Sequence, residues 1–177
     1  MDLRWIFAML SAVFLLSVYF GYSLAAMFPE FAQNQIESIK EQLGGIVSEP
    51  NPLFTFALIL INNSVKSFFA MLLGVFFGIV PVLFLFANGV IIGFFAKLVG
   101  EKIGFITFLL LLLPHGILEI PAVIMACSYG FWLGIEFAKS REKIAEKIKF
   151  AIGRFLRIVF PMLLIAAAIE STLIALT

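Results

Sequence analysis

The sequence predicts an all-α polytopic transmembrane helix bundle, and three observations lead there. Hydrophobic residues make up 63% of the 177 positions and charged residues only 13%, with a mean hydropathy of +1.13. A chain that apolar cannot cover itself with polar surface in water. Its apolar residues also form long continuous runs, not the short alternating strands of an outer-membrane barrel, which leaves helices as the spanning element. Finally, glycines recur four residues apart in three successive runs, a spacing that lets helices approach closely in lipid. No linker is long enough to hold a soluble domain, so residues 1–177 read as one integral membrane domain.

A helix rises about 1.5 Å per residue, so ~20 apolar residues cross the hydrocarbon core. The runs that qualify are 5–28, 54–80, 82–99, 105–137 and 152–176. The first follows Met1-Asp2-Leu3-Arg4 and ends near Ser23-Leu24-Ala25-Ala26, which resembles a secretory signal with its cleavage site. The run is longer than the ~7–15 residues of a signal core, so it is expected to remain as an uncleaved first span. Pro81 separates the second run from the third, because proline suits the first turn of a new helix. The fourth is too long for one straight crossing and contains Pro114, Gly116 and Pro121. It is expected to break at 114–116, re-entrant-like, with a short piece entering the membrane and a longer one completing the crossing. About five crossings result.

Charge orients them. Seven of the twelve Lys and Arg fall between Lys139 and Arg157, against Glu142 and Glu146. The positive-inside rule makes this loop cytoplasmic. The loop 30–52 carries Glu30, Glu37, Glu41 and Glu49 against Lys40, as expected on the other side. Five crossings place the N-terminus with the basic loop in the cytoplasm and the C-terminus outside, in the cell membrane. Both linkers show helical periodicity: Ile36, Ile39 and Leu43 in one, Ile144, Ile148 and Ile152 in the other. Each reads as an amphipathic helix lying in the interface or as an extension of the next span.

The small-residue pairs are Gly74/Gly78, Gly89/Gly93 and Gly130/Gly134. They predict a tight bundle of the second, third and fourth spans, with packing inside the monomer favoured over dimerisation. Polar groups at depth are rarer and more telling. The second span carries Asn62, Asn63 and Lys66, the third Asn88, and the fourth His115 and Glu119. The last two are four residues apart and share a helix face. Since the glycines already join these spans, one buried polar cluster of Asn62, Asn63, Lys66, Asn88, His115 and Glu119 is expected. Three uses for it stay open: an ion pair of Lys66 with Glu119, with the asparagines satisfying carbonyls freed near Pro114; a proton or ion path; a pocket for a lipid or small molecule. No catalytic set is complete. One histidine cannot build a two-histidine zinc site within a single chain, and His-Glu-x-x-His is absent, so no metal, cofactor or catalytic residue is assigned. The single cysteine, Cys127, lies in an apolar run, cannot form an intrachain disulfide, and reads as a small buried hydrophobe.

These residues resemble the stage II sporulation protein M family of multispan membrane proteins. The resemblance covers most of residues 54–134. It rests on Asn62-Asn63, Gly74-x-x-x-Gly78, Asn88-Gly89 with Gly93, and Pro114-His115-Gly116-x-x-Glu119-x-Pro121-Ala122. In spore-forming bacteria the family implies a scaffold that acts with a cell-wall hydrolase and a second membrane protein to remodel septal peptidoglycan; it implies no catalytic residue. The expected function is therefore a non-enzymatic membrane scaffold whose surroundings are the bilayer and protein partners or further copies of itself, not nucleic acid. The alternative is a small ion, proton or solute channel or transporter that uses the polar cluster.

Overall fold

The computed structural model describes residues 2–30 and 51–176. These residues are helical, with no strand among them. The elements are α1 (Leu3–Met27), α2 (Pro52–Leu72), α3 (Ile79–Ile103), α4 (Phe105–Lys139), α5 (Ile144–Arg154) and α6 (Phe160–Leu176). A π-helical segment, Phe155–Val159, joins α5 to α6, and among the described residues five rods are long and apolar enough to cross a membrane.

Local chemistry sets the boundaries. Asp2 caps α1 by accepting from the Arg4 amide at 3.1 Å. Asn51 caps α2 by accepting from the amides of Leu53 and Phe54 at 3.0 and 3.3 Å, with Pro52 in the first turn. The chain reverses between α2 and α3 through a 3₁₀ turn at Leu73–Val75, then Phe77 at φ 55° and Gly78 at φ 71°. The boundary thus falls a few residues before Pro81, which sits inside the first turn of α3, where its missing N–H has no role to fill.

Helix α4 is the centre of the bundle. On one side Ala122, Ala126, Tyr129 and Leu133 pack with Met71 of α2 and with Ala151, Phe155, Val159 and Leu163 of the last rod. On the other, Ile124 and Cys127 pack with Ile6, Leu10 and Phe14 of α1 and Leu85 of α3. Cys127 is fully buried there. Helix α1 buries Ile6, Leu10, Phe14, Ser17, Gly21 and Ala25, a stripe every three or four residues that lies along α3.

Two glycine seams hold these layers. Gly74 and Gly78 face Gly130 and Gly134: a Cβ on Gly74 would lie 2.2 Å from the Gly130 carbonyl oxygen, and one on Gly134 2.2 Å from the Gly78 nitrogen. Gly89 and Gly93 do not join this seam, as the expected three-span bundle required. They turn to α1, where added methyls would lie 1.8 Å from Ser17 Oγ and 1.9 Å from the Val18 carbonyl oxygen. Gly21 of α1 completes that seam against Val90. The reason is geometric: α3 runs parallel to α1, and its small-residue face meets the small residues Ser17 and Gly21.

The expected break in the fourth span does not occur. Helix α4 continues through Pro114, Gly116 and Pro121 for 35 residues. Each proline removes one backbone hydrogen bond at about 3 kcal/mol or more, whereas a full break would strand several polar groups at membrane depth, each costing several kcal/mol. Continuity costs less. The extra length is taken up at the polar end, where Glu136 pairs with Lys139 at 3.0 Å and with Lys147. The second expected interfacial helix is likewise not a separate surface element. Ile144, Ile148 and Ile152 dock against the core and α5 runs on into the last span, because their apolar faces find a partner in α4. The first, at 30–43, lies outside the described residues.

A candidate buried polar site

The site is assembled from α2, α4 and α6. Three contacts between the α2 segment and the parallel α4 share one sequence offset of 56: Asn63 with Glu119, Gly74 with Gly130, and Gly78 with Gly134. The glycine seam therefore sets the register that brings Asn63 to Glu119. Asn63 Nδ2 donates to Glu119 Oε1 at 2.8 Å, and Asn62 Nδ2 donates to Asn63 Oδ1 at 3.2 Å. His115 stands one turn before Glu119 on the same face of α4. Helix α6 then brings Glu170. Ligating atoms of His115, Glu119 and Glu170 lie within 4.8 Å of one another, and all three side chains are half-buried. From the start of α4, His115 lies roughly 15 Å and Glu119 roughly 21 Å along the helix.

Two clefts flank the group. One, of about 180 Å³, is lined by Asn88, Gly116, Glu119, Ile120 and Phe14 among others. The other, of about 260 Å³, is lined by Leu111, His115, Glu170, Leu173 and Ile174. His115 Nδ1 is shielded from the surroundings and has no hydrogen-bond partner among the described residues. Ser171 and Thr172, next to Glu170, donate back to the Ala168 carbonyl and do not turn to the site.

Of the six residues expected to cluster, Asn63, His115 and Glu119 meet directly, and Asn62 joins through Asn63. Asn88 shares a cleft with Glu119, but its amide donates to the Phe84 carbonyl at 2.7 Å. Lys66 does not pair with Glu119. It is exposed, its position falls about a turn beyond Asn63 toward the α2–α3 reversal, and no ion pair holds it among the described residues. Outside the bundle, the long stem of a lysine can carry its charge toward a polar interface without the desolvation that burial would cost. Among the described residues no lysine or arginine pairs with Glu119 or Glu170; the ion pairs found there, including Lys97–Glu101 at 2.6 Å, sit toward helix ends. Glu170 escaped the sequence reading. Its signal was present: it is the one ionisable residue between Arg157 and the end of the chain, and an ionisable group inside a span marks a site by default.

Neither the curated proteins nor the solved structures contain a match to this chain. A family model does match, and it extends well past the motif-bearing middle to take in most of α1 and of the last rod. Over residues 10–173 the match is to Stage II sporulation protein M, so the chain belongs to that family.

Proposed function

We propose that the protein is a non-enzymatic membrane scaffold that assembles with partner proteins through its membrane-embedded surface. In this reading it sits in the cell membrane with the N-terminus and the basic segment 139–157 in the cytoplasm and the C-terminal end outside, the basic segment facing the anionic leaflet. One observation carries it: both seams of the bundle close backbone against backbone, with no room for a methyl group at Gly74, Gly93 or Gly134. Helices locked that closely resist rocking, and alternating access requires one group of helices to re-pack against another. A rigid bundle suits a platform. Membership of a family not known for enzymes supports the same reading. So do the large apolar side chains left outside the bundle, among them Leu15, Tyr19, Phe69 and Phe76.

The experiment is site-specific photo-crosslinking from Leu15 and Phe69 in native membranes, paired with ion-flux measurements on reconstituted protein. Discrete protein adducts with ion-tight liposomes are expected. Lipid adducts alone, together with a flux abolished by Glu119→Gln, would overturn the scaffold and install the second reading, a small channel or transporter. That reading draws on the two clefts beside the His115–Glu119–Glu170 group.

A further inference from the structure

We propose that His115, Glu119 and Glu170 bind one divalent first-row transition-metal cation of the zinc or manganese kind, pinning α6 to α4 within the membrane.

The donor set is an imidazole and two carboxylates from two helices that are far apart in sequence. Their ligating atoms are already within 4.8 Å of each other. Tetrahedral coordination at zinc–nitrogen and zinc–oxygen distances near 2.1 Å places ligand atoms roughly 3.4 Å apart. Side-chain rotation alone closes that gap. Three protein ligands leave one position for water or an incoming ligand, and the cleft of about 260 Å³ beside His115 and Glu170 gives access to it.

Charge argues in the same direction. Two carboxylates this close repel each other in a medium of low dielectric, and no lysine or arginine among the described residues pairs with either. A divalent cation makes the ensemble neutral in one step. The shielded, unpartnered Nδ1 of His115 is a further group that metal ligation, or the fixing of the ring by it, would employ. Beyond the ligands, Asn63 donates to Glu119 and is itself held by Asn62. This is the arrangement by which outer groups orient a ligating carboxylate. Ligand type selects the metal. One nitrogen and two oxygens suit zinc, manganese or ferrous iron. Calcium wants six to eight oxygens, and copper(I) wants sulfur, which buried Cys127 does not bring to the site.

The test uses the full chain without a histidine tag, stripped with chelator and held in nanodiscs. Equilibrium dialysis with Zn²⁺ or Mn²⁺, and with Mg²⁺ and Ca²⁺ as controls, measures stoichiometry and affinity. About one Zn²⁺ or Mn²⁺ per chain is expected, with Mg²⁺ and Ca²⁺ bound far more weakly. Glu170→Gln and His115→Phe should each weaken binding by more than 100-fold. Asn63→Leu should weaken it by about 10–100-fold, as loss of an orienting group does. Glu170 lies near the end of α6, so its variant keeps the test open should Glu119→Gln fail to fold, and helicity is checked by circular dichroism. A Mn²⁺ resonance spectrum altered by Glu170→Gln would place the metal at this group. Absence of binding to the folded wild-type chain, as when the two carboxylates simply share a proton, would overturn the proposal. Equal binding by wild type and Glu170→Gln would overturn it too.

Discussion

Replacing Gly74 by alanine adds one methyl group, and the surroundings determine what that methyl does. It would lie 2.2, 2.4 and 2.5 Å from the carbonyl oxygen, carbonyl carbon and Cα of Gly130. All three are backbone atoms of the central helix, so no rotamer change relieves the clash. Restoring a separation near 3.4 Å requires α4 to retreat by more than ~1 Å, and a gap of that size forfeits a quarter to a half of the dispersion along the seam. Overpacking a core costs about 1–3 kcal/mol, and a backbone-on-backbone case belongs at the top of that range. A destabilisation of about 3 kcal/mol, roughly 150-fold in the folded-to-unfolded ratio, is expected. Unfolding by SDS in mixed micelles, followed by the fluorescence of Trp5 and Trp132, measures it. Gly153→Ala is the matched control: the same methyl, inside the continuous helical rod of α5 and α6, meets nothing within 4 Å. There alanine should stabilise by about 0.5–1 kcal/mol, because it restricts the unfolded chain. If the two variants move in the same direction, or Gly74→Ala leaves stability unchanged, the close-packed seam is wrong.

Other perturbations separate the parts of the site. Asn63→Leu should cost about 1–2 kcal/mol in the same titration, the range for an interhelical polar contact in lipid; an unchanged midpoint would mean Asn63 and Glu119 do not bond. Lys66→Met should leave stability within about 0.5 kcal/mol, since Lys66 holds no ion pair among the described residues, and a large loss would restore the pairing with Glu119. For topology, Ser140→Cys in inverted and right-side-out vesicles should react with an impermeant maleimide only from the cytoplasmic face. Buried Cys127 should stay unlabelled in both, and labelling of Ser140→Cys from outside would reverse the orientation.

Much of this architecture was legible in the sequence, for identifiable reasons. Hydropathy gives the five rods because lipid leaves each segment no other way to satisfy its backbone. The pairs Gly74/Gly78 and Gly130/Gly134 were readable because small residues are what a close seam in lipid requires. What could not be read was which seam each pair joins. Gly89 and Gly93 carry the same spacing, yet they face α1, whose contribution is the less conspicuous Ser17 and Gly21. The prolines misled for a different reason. Pro114 and Pro121 mark lost hydrogen bonds, and the sequence does not show that a 35-residue helix could extend beyond the apolar layer at its Glu136 end. Nor does Gly116 act as a breaker: an added methyl there would meet Leu112 and Ile120 only at 3.6 Å, ordinary contact. Glu170 was overlooked because motif reading favours clustered polar residues, and Glu170 has no polar neighbour before it on its helix.

The constant offset of 56 between the α2 segment and α4 ties the seam to the site and yields a sharper expectation. Asn63 precedes Gly74 by eleven residues, and Glu119 precedes Gly130 by the same eleven. Eleven residues make just over three helical turns, so on each element the glycine and the polar group lie on one face. The parallel pairing repeats in step, and wedging the seam apart at Gly74 must also draw Asn63 away from Glu119. In a double-mutant cycle the two substitutions should then be markedly sub-additive. Asn63→Leu introduced into Gly74→Ala should cost well under the 1–2 kcal/mol it costs alone, because the hydrogen bond is already strained or lost. Additivity within about 0.3–0.5 kcal/mol would show the seam and the polar site to be independent, despite their shared register.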